Sequence, residues 1–315
     1  MLAGSPLLFV YIIYTSILRG VGDSITPLVA LSLTSLIGLV ITPVLIAGYF
    51  GFPKLGIIAP AIATITGNAL VILFLIIYLN KKNHPLKPDL ALLKHIRYDA
   101  ELTRLILRLG IPTGIQMVTT SVAGLVVVGL VNRFGAHATA AYGAVNQVLN
   151  YIQFPALSIA IAASIFGAQA IGMGKSDLLA RVTRTALWMN IIITGTLVIL
   201  AYLFSKYLMA LFITDDSVVQ LGQQLLFIVL WSILFFGASA IFASIMRSSG
   251  AVTMPMLINI AAILCIEVPC AYWFSSLWGL KGIWYAYALA FVSLCILQAG
   301  YYQFFWKKKA IKALI

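Results

Sequence analysis

Charged residues in this chain are confined almost entirely to short breaks between long apolar runs. About nine such runs can be marked, at residues 2–18, 27–50, 57–80, 112–132, 138–171, 185–206, 219–245, 254–274 and 282–305. Most approach or exceed the roughly 20 residues a helix needs to cross a bilayer. The fifth is too long for one straight span and is expected to begin or end outside the hydrocarbon. Soluble domains carry about a quarter charged residues, whereas here the charged fraction is 9%, against 62% hydrophobic residues and a mean hydropathy of +1.07. Such a chain has too little polar surface to face water on all sides. In lipid every backbone group must be satisfied internally, and runs of this length do so as helices. The expected fold is all-α: a polytopic membrane protein of about nine transmembrane helices, with the lipid bilayer as its first partner.

Other classes are excluded by the same pattern. The net charge of +12 sits in connections, where membrane topology explains it, so no nucleic-acid partner is expected. Cys265, Cys270 and Cys295 lie inside apolar runs and read as small hydrophobes. His84, His95 and His137 are scattered in or near connections without metal-ligand spacing. No nucleophile–base pair appears, so an enzyme is not expected, nor is a bound cofactor. Met1 opens almost directly into an apolar run, without the basic start and small-residue cleavage site of a signal peptide.

Basic residues orient the spans, because cytoplasmic connections retain Lys and Arg. All of the 20 Lys and Arg except Lys54, Arg133, Lys206 and Lys281 fall on one side, the side of Arg19. That side is expected to be cytoplasmic, with the C-terminus and a basic tail at 307–315 inside and Met1 outside. The longest connection, 81–111, places Arg97, Glu101, Arg104 and Arg108 on one helical face and Leu102, Leu105, Ile106 and Leu109 on another. It reads as a cytoplasmic amphipathic linker.

The break Arg19-Gly20-Val21-Gly22-Asp23, followed by Pro27, recurs loosely as Arg247-Ser248-Ser249-Gly250, followed by Pro255. Arg19 and Arg247, Gly22 and Gly250, and Pro27 and Pro255 keep one constant offset. Pro43 then matches Pro269, and Leu55-Gly56-Ile57 matches Leu280-Lys281-Gly282-Ile283, after a shift of two residues. Spans one to three therefore resemble spans seven to nine in the same orientation. This is the signature of a parallel repeat, with two bundles about an axis along the membrane normal. The expected organisation is an incomplete two-lobe (6+6) repeat. Residues 1–80 form a partial first lobe, 81–111 the linker and 112–306 a complete second lobe, with three helices expected before Met1.

Of the 8 acidic residues, Glu267 alone lies inside a span. A carboxylate there costs roughly 2.5–3.5 kcal/mol on insertion scales, so it is expected to face a bundle interior or a wet cavity. Two readings stand: a group that binds a coupling ion or cationic substrate by reversible protonation, or a structural acid bonded between helices. Pro269, two residues on, removes a backbone donor and can kink the helix. The span-embedded amides Gln116, Asn146, Gln147, Asn150, Gln153, Gln169, Asn190 and Asn259 come next, each alone reading as interhelical glue. Tyr142, Asn146, Asn150 and Gln153 share a helical face, and Gln116 lies in the preceding span. That stripe could line a cavity in which Tyr142 and Tyr151 offer ring faces to a cation. The spacing of Arg19 and Asp23 fits an i,i+4 pair or, as the preferred reading, a tight turn with Gly20 and Gly22.

Several of these residues, in order, resemble the MATE (multidrug and toxic compound extrusion) transporters. They are Arg19-Gly20-Val21-Gly22-Asp23 with Pro27; Pro43; Leu55-Gly56 with Ala61-Ile62-Ala63-Thr64; Gly110-Ile111-Pro112; Arg133-Phe134-Gly135; Ala140-Ala141; Pro155; Gln169-Ala170-Ile171-Gly172; Leu211-Phe212 with Asp215-Asp216; and Arg247-Ser248-Ser249-Gly250. The resemblance implies two six-helix lobes, of which helices four to twelve are present here. It also implies export of drug-like, organic cationic compounds across the plasma membrane in exchange for H+ or Na+. The chain departs from the family at Thr42, where many members carry an acid before the proline matching Pro43. Two alternatives remain beside the antiporter. One is a truncated, non-transporting fragment or assembly partner. The other is a lipid-linked oligosaccharide flippase, which would favour basic residues inside the spans; this chain has almost none there.

Overall fold

A computed structural model describes residues 5–51, 54–82, 86–87, 98–175 and 177–308. Ten helices appear among them: α1 Ser5–Gly20, α2 Ile25–Ala47, α3 Gly56–Lys81, α4 Ala100–Phe134, α5 Ala136–Gly172, α6 Asp177–Leu203, α7 Ser205–Ala210, α8 Asp216–Ser248, α9 Thr253–Trp278 and α10 Leu280–Trp306. There is no strand among the described residues. Eight helices are long and apolar enough to cross a membrane; α1, with 16 residues, falls short of that length.

Helix starts follow local chemistry. The Asp99 carboxylate accepts from the Glu101 and Leu102 N–H groups, and the Asp215 carboxylate from Ser217 N–H, satisfying donors that a helix N-terminus leaves open. The same bonds, with one from the Ser217 hydroxyl, stabilise ionised Asp215 and hold its pKa below the usual carboxylate range. With Asp99 as its cap, α4 runs without interruption past Pro112, so it starts twelve residues before the span expected from apolarity. Arg104 and Arg108 belong to its first turns. Arg97, His84, His95 and the tail beyond residue 308 lie outside the described residues.

The repeated break is a repeated turn. The Asp23 N–H reaches the Leu18 carbonyl at 3.0 Å, as the Ala251 N–H reaches that of Met246 at 3.2 Å. Gly22 and Gly250 each bond back three residues, to Arg19 and Arg247, with φ of 92° and 78°. An L side chain resists that left-handed backbone, so glycine recurs at both places. Arg19 Nε and Arg247 Nε donate one turn back, to the Thr15 and Ala243 carbonyls, both at 3.3 Å. The two turns differ where Asp23 accepts from Thr26 N–H and hydroxyl to cap α2, a role Ala251 cannot fill.

The chain divides into two units, Met1–Tyr98 and Asp99–Ile315. In the first, α1–α3 pack around Tyr11, Ala30, Val71 and Leu75. In the second, α8 lies along α5 and α10. Its larger core gathers Val145, Leu149, Leu225, Leu226, Ile233 and Trp284. A smaller core joins Ile159, Ile241, Ile245 and Met246 to Tyr302 and Trp306. Three helices of this unit contain a wider, π-helical turn: Asn190–Thr194 in α6, Ala262–Glu267 in α9 and Tyr302–Trp306 in α10. Such turns add one residue to the helical repeat and shift every later side chain around the axis.

Candidate functional site

Glu267 ends the π-helical turn of α9, half-buried and near the middle of that helix. Pro269 follows in the first turn of regular helix beyond it. A proline has no N–H to offer the preceding turn, so the backbone widens at the place where the acid projects. Glu267 lies within electrostatic reach of Tyr287 on α10. The Tyr287 and Tyr142 hydroxyls share a hydrogen bond of 3.1 Å, joining α10 to α5. Trp284 closes the group, its ring centroid 5.4 Å from Tyr142 and 5.6 Å from Tyr287. The result is one carboxylate beside two linked phenols and an aromatic wall. These groups suit a proton or an organic cation.

The expected stripe divides. Tyr142 enters this group, and Asn146, half-buried, donates to the Tyr142 carbonyl at 3.0 Å. Asn150 is exposed, while Gln153 and Gln116 are half-buried. Among the described residues none of these three side chains has a hydrogen bond to Glu267, Tyr287 or Tyr142. Tyr151, expected to join Tyr142 as a cation face, lies elsewhere. Nine residues along a helix amount to a half-turn offset, about 180° at 100° per residue. Tyr151 is 58% exposed, stacks on Phe212 and lines an apolar cleft of about 370 Å³ with Val148, Leu200 and Phe204. That cleft contains none of the candidate residues.

Asn190 is interhelical glue. It is 1% exposed, donates to the Leu234 carbonyl at 3.1 Å and accepts from Thr194 at 3.0 Å. Gly237 makes room for it: a Cβ there would stand 2.1 Å from Asn190 Oδ1 and 3.0 Å from the Ala156 Cβ. Gly237→Ala is therefore expected to destabilise the protein by about 1–3 kcal/mol. Most of that penalty should vanish in an Asn190→Ala background. Thermal denaturation of the four proteins in the cycle measures the coupling.

Tyr287, Trp284 and Gln298 are not among the candidates expected from sequence. A signal for them exists in α10, where Tyr287, Phe291, Leu294, Gln298 and Tyr302 recur at helical spacing on one face. Gln298 is, moreover, an amide inside a span, like those singled out above.

The match to the MatE family model covers residues 112–273. The probable multidrug resistance protein YoeA of Bacillus subtilis is 46% identical over 312 residues, which is 98% of this chain and 67% of that protein. The probable multidrug resistance protein NorM of Thermotoga maritima is 25% identical over 287 residues, covering 90% of this chain and 61% of that protein. Among solved structures, a MATE protein in the straight conformation superposes with a TM-score of 0.87 at 20% identity, covering 96% of this chain and 67% of its own. A Vibrio cholerae MATE transporter gives 0.85 at 17% identity, with the same coverage. The chain thus spans roughly two-thirds of the length of the relatives it matches, and the solved structures share its fold. With the family model over more than half of its length and a close relative along nearly all of it, this chain belongs to the MATE family of multidrug efflux transporters.

Proposed function

We propose that this chain works in a proton-coupled antiporter that exports lipophilic organic cations, with Glu267 as the group that holds either H+ or the cation. The observation that carries this reading is the placing of the one carboxylate that lies mid-span, on the turn of α9 that packs against α10 and within electrostatic reach of Tyr287, whose hydroxyl bonds that of Tyr142. Ionised, Glu267 attracts a cation beside the half-buried Tyr287 ring, behind which Tyr142 and Trp284 are packed. Protonated, it loses that attraction and releases the cation. H+ and substrate then compete for one site, and their exchange couples to rocking of one repeat against the other. Proton rather than Na+ coupling is favoured by the surroundings of Glu267, which among the described residues supply phenolic hydroxyls and no second carboxylate from the spans. The near absence of basic residues within the spans favours a cationic substrate over a diphosphate-linked lipid. The excess of Lys and Arg on the side of Arg19 and Arg247 supports a cytoplasmic location for those turns and the C-terminus in a plasma-membrane protein.

Proteoliposomes containing the chain, loaded at acidic pH and diluted into neutral medium with tetraphenylphosphonium, test this. An acid-inside gradient should drive accumulation of the cation, and a Na+ gradient at equal pH should not. Accumulation driven by Na+ alone, or by neither gradient, contradicts the proposal.

A further inference from the structure

Two amides, Gln298 buried and Asn259 half-buried, stand on the Arg247 side of Glu267, and the π-helical turn explains why they align with it. Asn259 and Glu267 are eight residues apart, which in a regular helix would set them about 80° apart around the axis. The turn Ala262–Glu267 takes up one residue of that spacing and returns Glu267 to the face of Asn259, two turns away. On the facing helix, Tyr287 and Gln298 share one stripe. α9 and α10 run antiparallel, so Tyr287 meets Glu267 and Gln298 meets the Asn259 end.

The Gln298 amide is fixed. Its side chain is 1% exposed, and Nε2 donates to the Pro255 carbonyl at 3.0 Å, one turn before Asn259. Flipping the amide would set oxygen against oxygen, so Oε1 faces away from that bond. Among the described residues both Gln298 Oε1 and Asn259 Oδ1 are buried without a donor. An orphaned buried acceptor costs about 1–3 kcal/mol, and here two occur within about a turn of each other on facing helices. Further along the seam, the Thr183 hydroxyl donates to the Leu179 carbonyl, which leaves the Tyr302 hydroxyl to donate to Thr183 at 3.1 Å. Trp306 Nε1 donates to Ser249 Oγ at 3.0 Å, in the turn after Arg247.

We propose that Asn259 and Gln298 form a water-binding station on a proton path that follows the α9–α10 seam from the Ser249 turn to Glu267. The proposal rests on the reading of Glu267 as the proton carrier. Water has two O–H donors, and the station presents two acceptors. In export the Glu267 O–H bond breaks, and its proton passes through further water in the two-turn gap to form one O–H bond on the bound water. Another O–H bond of that water breaks toward the cytoplasmic side, Glu267 is left ionised, and nothing else is consumed; an acid jump runs the same relay in reverse. The amides orient the water and hold no proton themselves. The titratable groups around Glu267 are few. α10 contributes Tyr287, with Cys295 and Tyr302 nearer Gln298, and α5 contributes Tyr142 through Tyr287. α9 itself carries Cys265, Cys270 and Tyr272. α4 has none between Arg108 and Arg133, and α8 has only Asp216 and Arg247 at its ends.

The test uses the full chain in lipid nanodiscs and time-resolved infrared spectroscopy after a pH jump. Loss of a carboxylic C=O band in Glu267→Gln assigns that band to Glu267. Asn259→Leu should slow its appearance at least tenfold while its equilibrium midpoint and the helical circular dichroism stay unchanged. Gln298→Met should do the same. If the latter fails to fold for want of the Pro255 bond, Asn259→Leu, which keeps that bond, decides. Wild-type kinetics in folded Asn259→Leu overturn the path alone. Absence of any titrating Glu267 band in the wild type overturns the reading of Glu267 and the path with it.

Discussion

Glu267→Gln is expected to lower gradient-driven accumulation of tetraphenylphosphonium at least tenfold and to remove the pH dependence of its binding. Glutamine keeps the shape and hydrogen-bonding capacity of the acid but can neither ionise nor carry a proton. In the wild type, affinity for the cation should rise with pH, because deprotonation creates the charge that attracts it. In the variant, affinity should be weak and flat with pH. A tenfold loss corresponds to about 1.4 kcal/mol, modest for a charge pair partly removed from water. Equilibrium binding of the radiolabelled cation across a pH series measures both quantities. Because the substitution is isosteric, its effect on thermal stability should be small, which separates a functional acid from a structural one.

The largest structural effect is expected at Gly282. A Cβ there would lie 2.1 Å from the Phe274 carbonyl oxygen, 2.2 Å from its carbon and 2.7 Å from the Ser275 nitrogen. All three are backbone atoms, so no side chain can swing aside. Gly282→Ala must push α9 from α10 at the tight turn that joins them, and a penalty of about 3 kcal/mol or more is expected, at the upper end for overpacking. The displacement should spread to Trp284 and Tyr287, within two turns, and so loosen the Tyr287–Tyr142 bond. Thermal unfolding in detergent should show a large drop for Gly282→Ala. Gly300→Ala, where a Cβ meets nothing within 4 Å, should unfold like the wild type.

How far the sequence could be read depended on where the information lies. Apolar length marks spans well, because the bilayer imposes it. It fails at α4 and α6, whose first turns hold Glu101, Arg104 and Arg108, and Asp177, Arg181 and Arg184. These polar residues are helical without being apolar, and in α4 a backbone capped by Asp99 continues through them regardless of solvent. Pro112 looked like a start and is an interior residue. The repeat was legible down to its hydrogen bonds, because a left-handed turn demands glycine and Gly22 and Gly250 keep their offset. Glu267 was legible because a lone carboxylate in a span stands out against an apolar background. Its partners were not. The Tyr142–Tyr287 bond joins residues 145 apart in sequence, and tyrosines are common at membrane depth. The π-helical turn that aligns Glu267 with Asn259 leaves no mark in a pattern read at 3.6 residues per turn. Tyr151 was misplaced for a simpler reason: it was grouped with Tyr142 by proximity in sequence, and a helix puts residues nine apart on opposite faces.

The exchange proposed at Glu267 can be measured without relying on net transport. Tetraphenylphosphonium is added to the purified chain in weakly buffered detergent solution, and proton release is followed with a pH indicator. At a pH acidic enough to keep Glu267 protonated before binding, one proton should leave for each cation bound to the wild type, and none on binding to Glu267→Gln. Equal proton release from the two proteins, or binding to the wild type without any release, would contradict an exchange of proton and organic cation at this carboxylate.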